Sequence, residues 1–475
     1  MTAYLHPGVY IEEIPSGARP IEAVGTSTAV FLGATARGPI GAPQRVTRWE
    51  EYERRYAGQQ TAMDRALRAF FLNGGSATYI VRLARDAHRA SATSAALTVE
   101  AIDEGVWGNG LLVTLTITDE AVLTVTLGDV VVERLVGAVD ANEPGYLGHR
   151  VADESQFVRL SGTLSAVTDL SLAGGTDGDQ ATQDDHALAF SRLAKIREIS
   201  IVCLPGQTWA VGGNPLIESA IAHAESTMNR VVLIDPPPNV ELTQPVHVTD
   251  LQLPTSTYAV LYYPWVCAAN PSYDAERNPG APRTVAVSPS AFAAGMYGRI
   301  DGRRGVWKAP AGVETGLLGV ASLEFTVEDG EQDVLNPLGV NCLRSLPGYG
   351  HVIWGARTLA TKAKPEWRYV PIRRTAIMIE ESIHSSIQWA VFEPNDDPLW
   401  SSLRVNIGSF MDGLFRSGAF QGRTSNEAYF VRCGLGDTMT QGDVDRGQVI
   451  VVVGFAPLKP AEFVIVRIQQ KVAQQ

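Results

Sequence analysis

The sequence predicts a multidomain protein of mixed α+β and α/β class. Its 475 residues are enough for two to four domains with cores of their own. Residues 91–175 alternate Thr, Val and Leu between turn residues, which is typical of a small β-sandwich or barrel. Residues 176–345 alternate helical and strand patterns, which predicts a mostly parallel, doubly wound sheet.

The segments on either side of these two regions are predicted to contain both helices and strands. Residues 21–90 contain the helical patterns "TRWEEYERRYAG" and "TAMDRALRAFFLNGG", followed by the strand pattern "ATYIVRLAR". Thr47 and Glu50 have the spacing of a capping box, which predicts that the first helix begins there. Residues 346–460 contain the helical patterns "RRTAIMIEESIHSSIQWAVF" and "PLWSSLRVNIGSFMDGLFRSG", and then the strand pattern "QVIVVVGFAPL".

Composition is that of a folded, soluble protein and argues against several classes. Apolar residues make up 45% and charged residues 19% of the chain, outside the range of disordered proteins. The net charge is −12, and residues 91–175 alone carry three basic and twelve acidic side chains. No run of Lys and Arg occurs, so nucleic-acid binding is not expected.

No targeting or membrane-spanning segment is predicted. The N-terminus lacks a basic stretch followed by an apolar one, and the longest apolar run, residues 258–269, is about half a membrane span. We therefore expect cytosolic synthesis and no direct membrane insertion. Four cysteines stand alone without CxxC spacing, which predicts buried free thiols and neither zinc nor a redox pair: Cys203, Cys267, Cys342 and Cys433.

Both chain ends have strand-like composition. "GVYIEEI" lies between Pro7 and Pro15, and its Val, Tyr and Ile residues favour an extended strand. The other end reads "AEFVIVRIQQ", also a strand pattern. The main-chain groups of a lone terminal strand need a partner edge, which lies either in the same domain or in another chain.

The motifs of common enzyme sites are missing. The sequence contains no GxGxxG after a strand, no GxxxxGK[ST], no GxSxG and no HExxH. Asp235, His247 and Ser288 follow the subtilisin order, but the surrounding residues lack the glycines that shape a triad and an oxyanion hole. Glu381 and His384 form a single Glu-x-x-His, whereas a di-iron bundle needs two such pairs. No catalytic residue, cofactor or metal is predicted.

Five stretches spread over nearly the whole chain share a likeness to known sequences. They are "PGVYIEEIPSGARPIEAVGTSTAVFLGATARGP", "GVWKAPAG", "LNPLGVNCLR", "VPIRRTAIMIEESIHSSIQWAVFEPNDDPLWSSLR" and "VGFAPLKPAEFVIVRIQQ". Together they resemble one family, the contractile tail sheath proteins of contractile phages, R-type pyocins and phage-tail-like extracellular injection systems.

The resemblance implies a domain plan. A core domain is built from both chain ends, inserted domains face outward, and the middle α/β domain is subtilisin-like without catalytic residues. The predicted boundaries are an N-terminal strand arm at 1–20, core at 21–90, an acidic β domain at 91–175, the subtilisin-like domain at 176–345, core at 346–460 and a C-terminal strand arm at 461–475.

The resemblance also implies the function. Such a chain polymerises as stacked helical rings around an inner tube, and contraction drives the tube through a target membrane. The terminal arms of neighbouring subunits add strands to the sheet of a third. The donated residues are predicted to be Val9, Tyr10, Ile11, Glu12, Glu13 and Ile14 at one end, and Phe463, Val464, Ile465, Val466, Arg467 and Ile468 at the other.

Partners follow from the same resemblance. They are further copies of this chain, the inner tube protein, and baseplate and terminal cap proteins. The helix at 401–417 is a candidate for the tube-facing surface, with Arg404, Asp412 and Arg416 as polar contacts; alternatively these charges are ordinary intersubunit or solvated groups. The opening looks most like that of injection-system sheaths. Assembly is expected in the cytoplasm of the producing bacterium, and the working particle is a phage tail or a phage-tail-like particle.

Two other functions stay open at this point. A divergent subtilisin-like hydrolase would use the Asp, His and Ser residues named above, and a soluble β-rich adhesin would use the acidic module at 91–175. Neither accounts for both terminal arms.

Overall fold

A computed structural model describes residues 20–56, 58, 60–360 and 362–462. The predicted donated strands, Val9–Ile14 and Phe463–Ile468, lie outside the described residues. The chain divides into two compact units. The first contains residues 25–378 and the described residues from 459 on, and the second contains residues 379–458 and the described residues up to 24.

The secondary structure mixes strands and helices along the whole described chain. The strands are β1 (Ala29–Gly33), β2 (Gln44–Val46), β3 (Thr78–Arg82), β4 (Ser91–Ser94), β5 (Leu97–Ala101), β6 (Leu111–Ile117), β7 (Ala121–Leu127), β8 (Val130–Gly137), β9 (Val158–Gly162), β10 (Val167–Ser171), β11 (Ile201–Cys203), β12 (Val231–Ile234), β13 (Ala259–Tyr263), β14 (Val266–Ala269), β15 (Thr284–Val287), β16 (Ser322–Leu323), β17 (Val340–Leu346), β18 (Gly350–Ile353), β19 (Tyr429–Arg432) and β20 (Val452–Phe455). The helices are α1 (Trp49–Arg55), α2 (Ala62–Leu72), α3 (Leu147–Glu154), α4 (Gln183–Leu193), α5 (Pro215–Thr227), α6 (Pro245–Asp250), α7 (Pro289–Arg304), α8 (Asp329–Leu335), α9 (Val370–Ser386), α10 (Asp397–Arg416), α11 (Ser425–Ala428) and α12 (Gln441–Asp445). Short 3₁₀ turns lie at Val106–Gly110, Asn336–Leu338, Pro365–Trp367 and Gln388–Ala390.

An eight-stranded sheet forms the centre of the first unit, in the order β18-β17-β13-β12-β11-β1-β3-β2. Strands β17, β13, β12, β11, β1 and β3 pair in parallel, and for the first four the alternation of helix and strand patterns predicts this. Their sequences are continuous apolar runs such as "VVLI" and "AVLYY", in which every residue is buried. Such runs are typical of parallel strands that are covered on both faces.

Two strands of the N-terminal segment lie inside this sheet. Strand β1 pairs with β11 on one side and with β3 on the other, so segments about 50 and 170 residues apart in sequence become neighbours. The sequence analysis predicted β3 within an α+β segment and did not predict β1. The mixed α/β, multidomain class is confirmed, while the likeness of the middle domain to subtilisin and the domain boundaries stay predictions.

The helices begin at recognisable caps. A capping box joins Thr61 and Asp64 at the start of α2, and Asn214 caps α5 just before Pro215. The capping box predicted for Thr47 and Glu50 is wrong. Helix α1 begins at Trp49, and both the main-chain N–H and the hydroxyl of Thr47 donate to Glu51 instead, at 3.0 and 3.1 Å.

The acidic region forms a β module with a core of its own. Strands β4, β5 and β9 make one antiparallel sheet, and β10, β6, β7 and β8 make another. Alternate residues such as Leu111, Val113 and Leu115 are buried between the two sheets. Helix α3, which the sequence analysis did not predict, adds Leu147 and Val151 to this core.

A buried ion pair fixes three distant segments of the first unit. The guanidinium of Arg374 donates to both carboxylate oxygens of Asp301, at 3.0 and 2.5 Å, and the Thr26 hydroxyl donates to the same carboxylate. The two charged side chains are 3% and 6% exposed. Burial makes such a pair costly to break, because the remaining charge would lose its partner.

The second unit has a small separate core and a two-stranded sheet. Helix α10 packs Leu399, Trp400 and Leu403 against Cys433 and Met439. Strands β19 and β20 pair in antiparallel register. Among the helices that the structure describes, none is long and apolar enough to cross a bilayer.

Replacing Phe70 tests the packing of α2. Phe70 is fully buried and contacts Phe31 edge-on, with ring centroids 5.3 Å apart. We expect Phe70→Ala to lower the free energy of unfolding by about 3–5 kcal/mol in urea titrations, because the cavity would not fully collapse. The control Leu72→Ala, at a side chain that is 48% exposed on the same helix, is expected to change stability by less than about 1 kcal/mol. Equal effects of the two changes would contradict this packing.

Candidate functional site

The hydrolase candidates do not form a triad. Asp235 follows β12 and is buried, and its carboxylate accepts hydrogen bonds from the main-chain N–H and the hydroxyl of Ser290, at 2.8 and 2.6 Å. Within the described part of the chain, no hydrogen bond links Asp235 to His247 or Ser288. Burial raises the pKa of Asp235 to about 7, and its two hydrogen bonds with Ser290 oppose this shift.

The remaining chemistry-bearing residues are dispersed. No group of three or more His, Cys, Asp or Glu side chains that could hold a metal ion occurs in the described ranges. The cysteines are free, and three are buried as predicted, whereas Cys267 is half-buried. Burial raises the pKa of Cys203 well above its ordinary value, so this thiol is a core residue and a poor nucleophile.

The described chain is firmly held just before the predicted C-terminal donated strand. The carboxylate of Glu462 accepts two hydrogen bonds from Arg357, at 2.9 and 2.5 Å, and one from the hydroxyl of Tyr369 at 3.0 Å. The Arg357 and Glu462 side chains are only 7% and 16% exposed. A bidentate pair of this kind is among the stronger polar contacts in proteins. The predicted donated strand begins at the next residue, Phe463.

The described chain is also held just after the predicted N-terminal arm. The main-chain N–H of Val24 donates to the hydroxyl of Ser382 on α9, at 3.0 Å. Two residues later, the carbonyl of Thr26 accepts from Ser200 at 2.6 Å and from Arg374 at 2.9 Å. The described chain is therefore anchored shortly after the predicted N-terminal arm, at Val24, and directly before the predicted C-terminal donated strand, at Glu462.

The sheet of β19 and β20 has open edges among the residues that the structure describes. Each strand has four residues and pairs only with the other. Phe430 on β19 is 49% exposed and Val452 on β20 is 40% exposed. An isolated pair of strands is only marginally stable in water, and unpaired main-chain groups at its edges can receive further strands.

Sequence reasoning found β20 and missed β19. The strand pattern "QVIVVVGFAPL" contains β20, whereas no strand was predicted at Tyr429–Arg432. The signal was the run "YFVR", whose aromatic and β-branched residues favour strands. Tyr429 is also tied to α10, because its hydroxyl donates to the carbonyl of Gly408 at 3.2 Å.

The three candidate tube contacts occupy different environments on α10. Arg404 donates to the carbonyl of Cys433 and to the hydroxyl of Ser401, so its guanidinium already has partners in the unit. Arg416 and Asp412 form an ion pair at 2.7 Å, one helical turn apart. The Arg416 side chain is 79% exposed, which leaves it accessible to another molecule.

Comparison with known proteins identifies the family. The chain matches the profile of the phage tail sheath protein central domain over residues 179–359 and that of the phage tail sheath C-terminal domain over residues 362–471. The chain belongs to the contractile tail sheath family. The family is structural, so this sheath protein is not an enzyme. The alternative hypothesis of a divergent subtilisin-like hydrolase is not supported.

The matches extend over most of the chain. The tail sheath protein of Burkholderia phage BcepMu is 24% identical over 444 residues, 88% of each chain. The contracted helical sheath of the anti-feeding prophage is 25% identical with a TM-score of 0.64, covering 99% of this chain and 100% of that one. The contracted sheath complex of the extracellular injection system PVC is 24% identical with a TM-score of 0.63 and covers 99% of both chains.

The buried carboxyl of Asp235 predicts a pH-dependent stability. Its pKa of about 7 in the folded protein lies above the value near 3.9 of an unfolded aspartate, so folding favours the protonated form between these pH values. Stability from this group is therefore present at low pH and is lost as the pH rises through 7. Between pH 5 and pH 8 we expect a loss of about 3 kcal/mol in the free energy of unfolding, measured with urea.

Asp235→Asn provides the comparison. The amide keeps an acceptor for Ser290 and removes the charge, so we expect a flatter pH profile and a more stable protein at pH 8. The exposed Asp129→Asn serves as the control and is expected to keep the wild-type profile. Parallel profiles for the wild type and Asp235→Asn would contradict a buried, titrating Asp235.

Proposed function

We propose that this chain is the subunit of a contractile sheath that polymerises as stacked helical rings around an inner tube and contracts to drive that tube through a target membrane. The observation that carries the proposal is membership of the tail sheath family over both the central and the C-terminal domain. Similar chains occur in solved helical sheath and baseplate assemblies of the anti-feeding prophage. The partners proposed for this chain are further copies of itself, the inner tube, and baseplate and terminal cap proteins.

The proposed setting is a phage tail or a phage-tail-like particle that is assembled in the cytoplasm of the producing bacterium. Whole-length similarity to the injection-system sheaths favours a particle of that type. The proposed domain plan keeps the boundaries predicted from the sequence, with the acidic β module and the subtilisin-like domain inserted into a core built from both ends. The separate core of the module supports its assignment as an inserted domain.

Strand addition between copies is the proposed basis of assembly. The residues Val9–Ile14 and Phe463–Ile468 would be donated, and the open edges of β19 and β20 would receive them. Main-chain hydrogen bonds would then complete a sheet that is too small to be stable alone. The exposed apolar side chains of Phe430 and Val452 would be covered in the same step.

Contacts close to the two donated strands explain how these strands can transmit force between subunits. The buried pair of Arg357 and Glu462 holds the base of the C-terminal arm, and the contact of Val24 with Ser382 holds the base of the N-terminal arm. A pull on either donated strand is thereby transmitted to a folded unit. Neighbouring subunits can then rotate and slide during contraction while the arms keep them connected.

Contraction is proposed to run on the free energy of packing between subunits. The extended lattice, templated by tube and baseplate, would be the less stable arrangement, and the wider contracted lattice the more stable one. Contacts that repeat without closing generate helical assemblies of this kind. Two discrete packings of the same interfaces are sufficient for such a switch, and no nucleotide is consumed.

Truncation and proline substitution test the arm. Negative-stain electron microscopy of the purified chain at raised concentration is expected to show hollow, striated cylinders. Deletion of residues 1–20 should abolish them, and so should Tyr10→Pro with Ile11→Pro, because proline removes the main-chain donors of the strand. The matched control Tyr10→Val with Ile11→Val keeps the donors and a strand-favouring composition. Normal cylinders from the truncated or the proline variant would overturn the proposed role of the arm.

Charge changes on α10 test the tube-facing surface. Arg404, Asp412 and Arg416 are proposed as the contacts, and Arg416 is the sharpest probe because its side chain is the most exposed of the three. We expect Arg416→Glu to reduce tube-templated sheath assembly several-fold, seen as shorter or fewer sheathed tubes in micrographs. The swap Asp412→Arg with Arg416→Asp keeps the ion pair, which separates loss of helix stability from loss of a tube contact. Unchanged templated assembly in both variants would remove Arg416 from the interface.

A further inference from the structure

A cavity lies between the inserted β module and the body of the first unit. Its volume is about 440 Å³, which is within the range of small-molecule sites. Arg54 and Arg55, in the last turn of α1, line one side, and Arg159 on β9 lines the other, close to Gln156. Three arginines from two separate parts of the fold therefore line one concave space.

All three arginines are exposed, and Arg55 interacts electrostatically with Asp103 on the cavity wall. Within the described ranges, no hydrogen bond or ion pair joins Arg54, Arg55 or Arg159 to a protein group. This is notable in a chain whose net charge is −12. Arg159 is also one of only three basic residues in the module, and Arg150, another of the three, is paired with Glu154 at 2.7 Å.

The two carboxylates of the cavity wall also have partners outside the cavity. Glu51 accepts hydrogen bonds from the main-chain N–H and the hydroxyl of Thr47. Asp103 accepts a hydrogen bond from the main-chain N–H of Gly38 at 3.0 Å and interacts electrostatically with the buried Arg82 and with Arg55. Three arginines therefore face two carboxylates that are shared with other groups. The cavity consequently keeps an excess of positive charge.

The side chains of Arg82 and Tyr56 lie behind the cavity wall. There too, hydrogen-bond donors outnumber the acceptors that they contact. Arg82 is 1% exposed, and its Nη1 donates to the carbonyls of Gly38 and Glu104, at 2.8 and 2.9 Å. Among the residues that the structure describes, its Nε and Nη2 atoms and the hydroxyl of the buried Tyr56 have no hydrogen-bond partner. Buried donors normally find partners, so this corner of the fold carries more donors and more positive charge than its own acceptors balance.

We propose that this cavity binds a compact, multiply charged oxyanion of the phosphate class. The planar donor fork of arginine matches phosphate oxygens, and three unpaired forks around one concavity suit a small ligand that presents oxygens in several directions. An extended acidic peptide would need an elongated groove. Because α1 and β9 both contribute, the bound anion would tie the inserted module to the body of the unit. This site rests on its own geometry and is independent of the sheath function.

Calorimetric titration of the full chain with inorganic pyrophosphate tests the proposal. We expect saturable binding that weakens as salt is raised from 20 to 300 mM, because screening weakens contacts between charges. Arg159→Gln and Arg55→Gln should each weaken binding at least tenfold, the loss expected when one charge-assisted contact is removed. The control Arg134→Gln changes an exposed arginine on β8 of the same module and should leave the affinity unchanged.

A thermal-unfolding series provides a second readout that does not depend on heats of binding. Pyrophosphate should raise the unfolding temperature of the wild type and of Arg134→Gln, and not that of Arg159→Gln, because a ligand stabilises only a folded state that binds it. Absence of saturable binding would overturn the proposal. Equal affinity in Arg159→Gln and Arg134→Gln would also overturn it, as would binding of a poly-glutamate peptide in place of pyrophosphate.

Discussion

Buried main-chain N–H and C=O groups must find hydrogen-bond partners, and this requirement organises the whole chain. In the first unit it is met by strands that are far apart in sequence. Strand β1 pairs with β11 and β3, and β13 pairs with β17, so one sheet collects residues from 29 to 353. The buried contact of Arg374 with Asp301 and Thr26 then fixes the segments that lead into and out of this sheet.

In the second unit this requirement is met only in part. Among the described residues β19 and β20 pair only with each other, so the main-chain groups at their outer edges have no strand partner. An unpaired strand edge promotes aggregation of a monomeric protein, because its main-chain groups bind another chain. In a polymer the same property joins neighbouring subunits. The chain ends fit this need, since both have strand composition, and the described chain is anchored near each of them, at Val24 and Glu462. Asp235 is the residue that most suggested catalysis. Its carboxylate accepts a hydrogen bond from the hydroxyl of Ser290, and this contact stabilises the fold.

Local patterns predicted local structure well. The buried parallel strands were visible as continuous apolar runs, and the β module as alternation of Thr, Val and Leu, because strand faces repeat every second residue. Pairing between distant strands was not visible, so the entry of β1 and β3 into the central sheet was missed. Spacing could not show that Ser290, two residues beyond the expected Ser288, meets Asp235, nor that Arg159 would face Arg54 and Arg55. Such meetings depend on how separate elements pack, which a single sequence does not encode in its local periodicity.

A cryo-EM reconstruction of the assembled chain tests the central claim most directly. The account predicts main-chain hydrogen bonds that join residues 9–14 and 463–468 of two neighbouring copies to the edges of β19 and β20 in a third. Arms that instead fold back onto their own chain, with the edges of β19 and β20 left unpaired in the assembled cylinder, would contradict it.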